Sequence, residues 1–193
     1  MIADSGYLYV SAFNRATHSF LAMYNSKGEL LKTFGNFFDR LVNKLPYSRQ
    51  IYSDVFFDIK RDSIFLSLSY LPIIQVYNRN AELINTIKLK EKEIKNFYNN
   101  NLNTNNVIKN GMRVLRGWMA EANLEDNKLY SYYPELRGIL VFDLHGNLVE
   151  KILFKDENSL KSLKYFITII DEKFVFLDIM DAQIKIYNLE TPN

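Results

Sequence analysis

Short runs of apolar residues alternating with polar ones recur along this chain, punctuated by Asn, Asp and Gly. That pattern predicts half-buried strands joined by tight turns. The clearest run, Tyr24 to Phe34 (YNSKGELLKTF), returns as Tyr77 to Ile87 (YNRNAELINTI) and as Phe142 to Ile152 (FDLHGNLVEKI), and a fourth begins at Tyr187 (YNLET). The shared grammar is an aromatic residue, Asn or Asp, two variable residues, usually Gly, then a polar residue and an apolar strand. Asn, Asp and Gly tolerate the left-handed backbone of a hairpin turn, so each copy reads as strand, turn, strand.

A further strand lies upstream of each aromatic, at Leu8 to Ser11, Ile64 to Ser67, Leu129 to Tyr132 and Phe174 to Leu177. Its offset to the aromatic is 13 residues in the last three copies and 16 in the first. Another turn signal precedes it, at Asp4 to Gly6, Arg61 to Ser63, Asp126 to Lys128 and Asp171 to Lys173. In the last three copies an apolar stretch comes before that turn, at Val55 to Ile59, Trp118 to Leu124 and Tyr165 to Ile170. The unit is a four-stranded antiparallel meander. One meander cannot bury both of its faces, so copies must stack, and stacking around an axis gives an all-β propeller with meanders as blades.

The chain is expected to form one domain with blades at about 1–35, 54–89, 114–154 and 163–193. Irregular inserts are expected at 35–54 and 90–113, the second with a helix over KEKEIKNFY and a solvated loop over NNNLNTNN, because Asn competes for backbone hydrogen bonds. The hairpin aromatics are 53, 65 and 45 residues apart, and the inserts account for the excess over common blade repeats.

The matched segments Phe20 to Phe34, Ile74 to Ile87, Ile139 to Ile152 and, in part, Ile184 to Thr191 resemble the blade motif of NHL and TolB-like six-bladed propellers. The resemblance implies architecture more than activity, because such blades serve enzymes, receptors and scaffolds alike. It also implies a bacterial cell-envelope setting, periplasm or cell surface. A six-bladed ring needs roughly 240 residues at about 40 per blade, so four copies in 193 residues read as part of a longer propeller. The alternative is a closed four-bladed ring. Open blade faces would favour self-association.

Composition narrows the function classes. With 48% hydrophobic and 24% charged residues, the chain can bury a sizeable core. Its net charge of +2, from 24 basic and 22 acidic residues spread along the chain, gives no reason to expect nucleic acid as a partner. The absence of Cys removes disulfides, thiolate metal sites and cysteine nucleophiles. The N-terminal MIADSGYLYVSAF lacks the pattern of a secretory signal, and no run of about 18 apolar residues occurs. The sequence as it stands is therefore expected to be neither exported nor membrane-spanning.

No constellation announces catalysis. His18 and His145, the two histidines, fall in turns, and no glycine loop of phosphate-binding type is present. The run Lys88, Lys90, Lys92, Lys95 with Glu91 and Glu93 reads as a solvated, self-paired helix face. Trp118 with Arg113, Arg116, Tyr130, Tyr132 and Tyr133 is the densest aromatic and cationic region, a combination that suits a binding surface, the other reading being packing between blades. The expected function is non-catalytic binding of a protein, peptide or glycan on one propeller face, without a cofactor. Two alternatives stand beside it: a structural module for subunit assembly, and a metal-dependent hydrolase similar to the lactonases, in which Asp58, Glu121 and Asn123 would offer oxygen ligands to an axial calcium.

Overall fold

The computed structural model describes residues 1–14, 17, 19–36, 55–60, 62–68, 71–103, 108–109, 112–113, 121–133, 136, 138–154, 163–170, 173–178 and 182–188. Blade 1 is formed by β1 (Ile2–Asp4), β2 (Tyr7–Asn14), β3 (Ser19–Asn25) and β4 (Leu30–Asn36). Blade 2 follows with β5 (Val55–Lys60), β6 (Ser63–Leu68), β7 (Ile73–Asn78) and β8 (Leu83–Lys88). Helix α1 (Lys92–Asn103) and a small hairpin of β9 (Ile108–Lys109) and β10 (Met112–Arg113) lie between it and blade 3. Blade 3 is β11 (Glu121–Glu125), β12 (Lys128–Tyr133), β13 (Gly138–Asp143) and β14 (Leu148–Leu153). Blade 4 has three strands among the described residues, β15 (Leu163–Ile170), β16 (Lys173–Asp178) and β17 (Gln183–Asn188). Strands pair in chain order within each sheet, all antiparallel.

The turns follow the local chemistry. Ser5 and Gly6 both have positive φ between β1 and β2, as do Asp126 and Asn127 between β11 and β12, which is the backbone of a two-residue type I′ hairpin. Between the third and fourth strands the left-handed position falls to Gly28, Ala81 and Gly146. The Asn or Asp that opens each of these turns lends its side chain to the turn backbone. Oδ1 of Asn25 accepts the amides of Lys27 and Glu29 at 2.9 Å each, and Asn78 and Asp143 do the same two and four residues on. The longer spacing in the first copy arises in the second hairpin, where the β2–β3 register shifts between Ser11 and Asn14.

Period two decides the packing, because alternate residues of one strand face opposite neighbours. Leu21 and Met23 of β3 meet Ile64, Leu66, Tyr77 and Ala81 of blade 2 in one core. Ile74 and Val76 of β7 meet Leu124, Leu129, Leu140 and Phe142 of blade 3 in a second. Ile139 and Val141 of β13 meet Phe174 and Phe176 of blade 4 in a third, edged by Phe154 and Tyr187. Each aliphatic side chain so buried contributes about 1.5–3 kcal/mol relative to exposure. The first strands are neighbours in sequence, β1 against β5, β5 against β11 and β11 against β15. Successive meanders packed face to face, with their first strands in a row, have the architecture of propeller blades.

Two expectations for the second insert are corrected. The helix does not stop before the Asn-rich stretch but continues to Asn103. Ile94 and Phe97 anchor it in the core between blades 2 and 3, and Asn costs a helix less than about 0.7 kcal/mol per residue relative to Ala, too little to end it. The charged run is not paired with itself. Glu91 and Glu93 face Lys151 of blade 3, at 3.0 and 3.5 Å, and Lys90 Nζ donates to Asn147 Oδ1 at 2.8 Å. Burial opposes ionisation of Glu91, but the Lys151 ammonium outweighs it and holds the carboxyl below its ordinary value.

Candidate functional site

A meander with an even number of strands is entered and left at the same end. The connections from β4 to β5, from β8 to β11 and from β14 to β15 therefore share one end of the blades with the turns from β2 to β3, β6 to β7 and β12 to β13. The other end carries the two-residue turns between first and second strands. Loops collected on a rigid frame are where binding groups concentrate, so the two ends differ in what they offer.

The end with short turns is tied together by charge. Arg79, in the β7–β8 turn, donates from Nη1 to Asp4 and to Ser5 Oγ (2.6 Å) of blade 1, and from Nε to Asp62 Oδ1 (2.9 Å) of its own blade. Lys60 and Glu125 stand in the slot that Asp4 occupies, immediately before the first turn of blades 2 and 3, and join at 2.8 Å. The Glu125 hydrogen bond raises the Lys60 pKa above its ordinary value. The pair crosses a cleft of about 300 Å³ whose walls include Ser63, Phe65, Leu124 and Asp126. No motif in the sequence announces this cleft. Its signal was a charge of opposite sign in the same repeat slot of adjacent blades.

At the loop-rich end the candidate residues separate. Tyr132 and Tyr133 are adjacent on β12 and so face opposite sides. Tyr132 packs edge-on to Phe176 at 5.2 Å in the core with blade 4, while Tyr133 lies in the core with blade 2. Burial pushes the Tyr132 phenol up to about 12 and drives Tyr133 further in the same direction. Tyr130 is half-buried beside Phe174, with 6.3 Å between ring centroids. Arg113 ends β10, within the connection that enters β11 at Glu121, opposite Tyr132. Arg116 and Trp118 lie outside the described residues, as does His18. His145 is exposed at its turn, its amide donating to Asp143 Oδ1 at 2.9 Å.

Asp58 lies on β5 and Glu121 and Asn123 on β11, adjacent first strands. Asp58 Oδ1 accepts the Ile59 amide at 2.8 Å. Among the described residues no group of three His, Asp or Glu side chains is placed to hold a metal ion. No helix among them is long and apolar enough to cross a membrane.

No protein-family model matches the chain, and no curated protein matches it in sequence. Among solved structures it is similar to virginiamycin B lyase from Staphylococcus aureus (14% identity, TM-score 0.46), covering 90% of this chain and 50% of that one. It is also similar to a streptogramin B lyase (14% identity, TM-score 0.43, 96% of this chain and 55% of that one). A third is glutaminyl cyclase from Myxococcus xanthus (10% identity, TM-score 0.43, 89% of this chain and 60% of that one). The chain thus spans between half and three fifths of the length of these structures.

Proposed function

We propose that the protein is a non-catalytic binding propeller of the NHL or TolB-like kind, taking a protein, peptide or glycan at the loop-rich end of its blades. The observation that carries this reading is the asymmetry between the ends. One is closed by two-residue turns and interblade ion pairs, while the other collects every connection between blades. The connection between β8 and β11 holds Arg113, Arg116 and Trp118, residue types that give large contact area and charge-assisted hydrogen bonds at small entropy cost. The bacterial cell-envelope setting rests on the resemblance of the blade motif.

Trp118 is the only tryptophan, so its fluorescence reports on that connection without labelling. Titration against peptide and glycan libraries is expected to yield a ligand that shifts the emission. Trp118→Ala and Arg116→Ala should each weaken it at least tenfold at unchanged Tm, and Lys60→Ala at the other end should leave it unaltered. A ligand whose binding is lost with Lys60→Ala but kept with Trp118→Ala and Arg116→Ala would overturn the assignment.

A further inference from the structure

The residues around the cleft at Lys60 and Glu125 have counterparts one interface earlier, and there an arginine fills the space. Strand register fixes the match, because Tyr24, Tyr77 and Phe142 pair with Leu8, Ile64 and Leu129. Phe65, Leu124 and Leu144, between blades 2 and 3, therefore hold the positions of Tyr9, Ile59 and Arg79 between blades 1 and 2. At that earlier interface the Tyr9 hydroxyl donates to the Arg79 carbonyl at 3.4 Å, and the Arg79 guanidinium reaches across to Asp4 and to Ser5. At the later one Phe65 brings no hydroxyl, and Leu144 is an aliphatic stem without a guanidinium. The cleft opens where those two groups lie one interface before.

Its lining has two parts. Phe65, Leu124 and Leu144 supply apolar surface, Leu124 buried and the other two half-buried. The charged lining is one cation, Lys60, against two anions, Glu125 and Asp126. Lys60 is committed to Glu125, and no ion pair among the described residues includes Asp126. The Glu125 hydrogen bond raises the Lys60 pKa most, and the charges of Asp58 and Asp126 add to it, so the surroundings of the ammonium are acidic. A volume of about 300 Å³ is at the lower end of the range for small-molecule sites.

We propose that this cleft binds a small organic cation, an ammonium or guanidinium on a short aliphatic stem, with its head between Glu125 and Asp126 and its stem on Phe65, Leu124 and Leu144. The earlier interface accommodates that same chemistry from within the chain, as the Arg79 side chain. Excess negative charge in the lining selects a cation over an anion, and Lys60 competes with the ligand for Glu125. The site lies at the short-turn end and is independent of the binding assigned to the loop-rich end.

Agmatine, a guanidinium and an ammonium on a four-carbon stem, is the probe, and hexanoate is the anion of similar length. With Leu methyls labelled, agmatine titrated to about 50 mM should shift the Leu124 and Leu144 resonances saturably, as a Kd on the order of millimolar for so small a ligand requires, and hexanoate should not. Glu125→Gln and Asp126→Asn should each weaken binding by about fivefold, and Lys60→Met should tighten it by a similar factor, the upper worth of an exposed ion pair. Lys60→Asp combined with Leu144→Arg rebuilds the Asp4 and Arg79 arrangement and should abolish binding. Should that double variant misfold, the opposite signs expected of Lys60→Met and Glu125→Gln still decide. Shifts that do not saturate, or that are unchanged by both Glu125→Gln and Asp126→Asn, would overturn the proposal. So would hexanoate binding that is lost with Lys60→Met, which would make the site one for anions.

Discussion

Asn147 Nδ2 donates to Asp143 Oδ2 at 2.7 Å, and this is the mirror of the bond in the two earlier blades. There, Asn25 Nδ2 donates to Glu29 Oε2 at 2.6 Å and Asn78 Nδ2 to Glu82 Oε2 at 2.7 Å. Amide and carboxylate have changed places across the turn, yet one donor and one acceptor remain. The first residue always keeps an Oδ1 for the turn amides, which either Asn or Asp supplies.

This exchange predicts a compensated pair. Asn147→Glu alone sets two carboxylates against each other and should lower the urea midpoint. The double change Asp143→Asn with Asn147→Glu rebuilds the arrangement of blades 1 and 2 and should recover most of the loss. The hydrogen bond from Asn147 also holds the Asp143 pKa below its ordinary 3.8. A carboxyl depressed in the fold stabilises it above the unfolded value, and that contribution fades as pH falls through the lowered one. Asp143→Asn should therefore flatten the acid limb of the stability profile below about pH 4.

Gly146 and Gly28 occupy the same turn position with φ of +77° and +80°, but their surroundings differ. A methyl on Gly28 would meet nothing within 4 Å, whereas on Gly146 it would sit 2.0 Å from the Lys88 carbonyl oxygen. Lys90 also donates its amide to the Gly146 carbonyl at 2.9 Å, so this turn is a seam between blades 2 and 3. Gly28→Ala should cost about 1 kcal/mol from backbone strain alone. Gly146→Ala should cost roughly 3 kcal/mol or more, because one backbone must move off the other. Equilibrium urea unfolding of the two variants measures both.

Tyr77 is buried edge-on to Phe34, with 5.0 Å between ring centroids, and its hydroxyl donates to Gln75 Oε1 at 2.5 Å. Gln75 Nε2 in turn donates to the Asn36 carbonyl of blade 1 at 3.1 Å. Burial pushes the Tyr77 phenol up to about 12, against a lowering hydrogen bond from the Gly35 backbone. A raised phenol stabilises the fold below the unfolded value of 10, and the contribution is lost as pH climbs through about 12. Tyr77→Phe should cost about 1–2 kcal/mol at neutral pH by leaving the Gln75 oxygen without its donor. It should also weaken the fall in stability between pH 10 and pH 12.

The repeat was legible because its turns need particular backbones: Asn25, Asn78 and Asp143 recur where a side chain must cap a hairpin. The course of the strands was legible for the same reason. What escaped depends on contacts between blades. Ala81 takes the left-handed slot that Gly holds elsewhere, and its methyl is buried against blade 1, a trade invisible without the neighbour. Glu91 finds Lys151, 60 residues away, rather than a lysine of its own run. Tyr132 and Tyr133, dense in sequence, are divided in space by the period-two rule itself, which places adjacent strand residues on opposite faces.

The blades stack in chain order, and methyl-to-methyl nuclear Overhauser contacts test that arrangement most directly. With Ile, Leu and Val methyls labelled, Ile74 and Val76 should show contacts to Leu124, Leu129 and Leu140, and Leu21 should show them to Leu66. Contacts confined within each meander, with none linking blade 2 to blade 3, would contradict the fold described here.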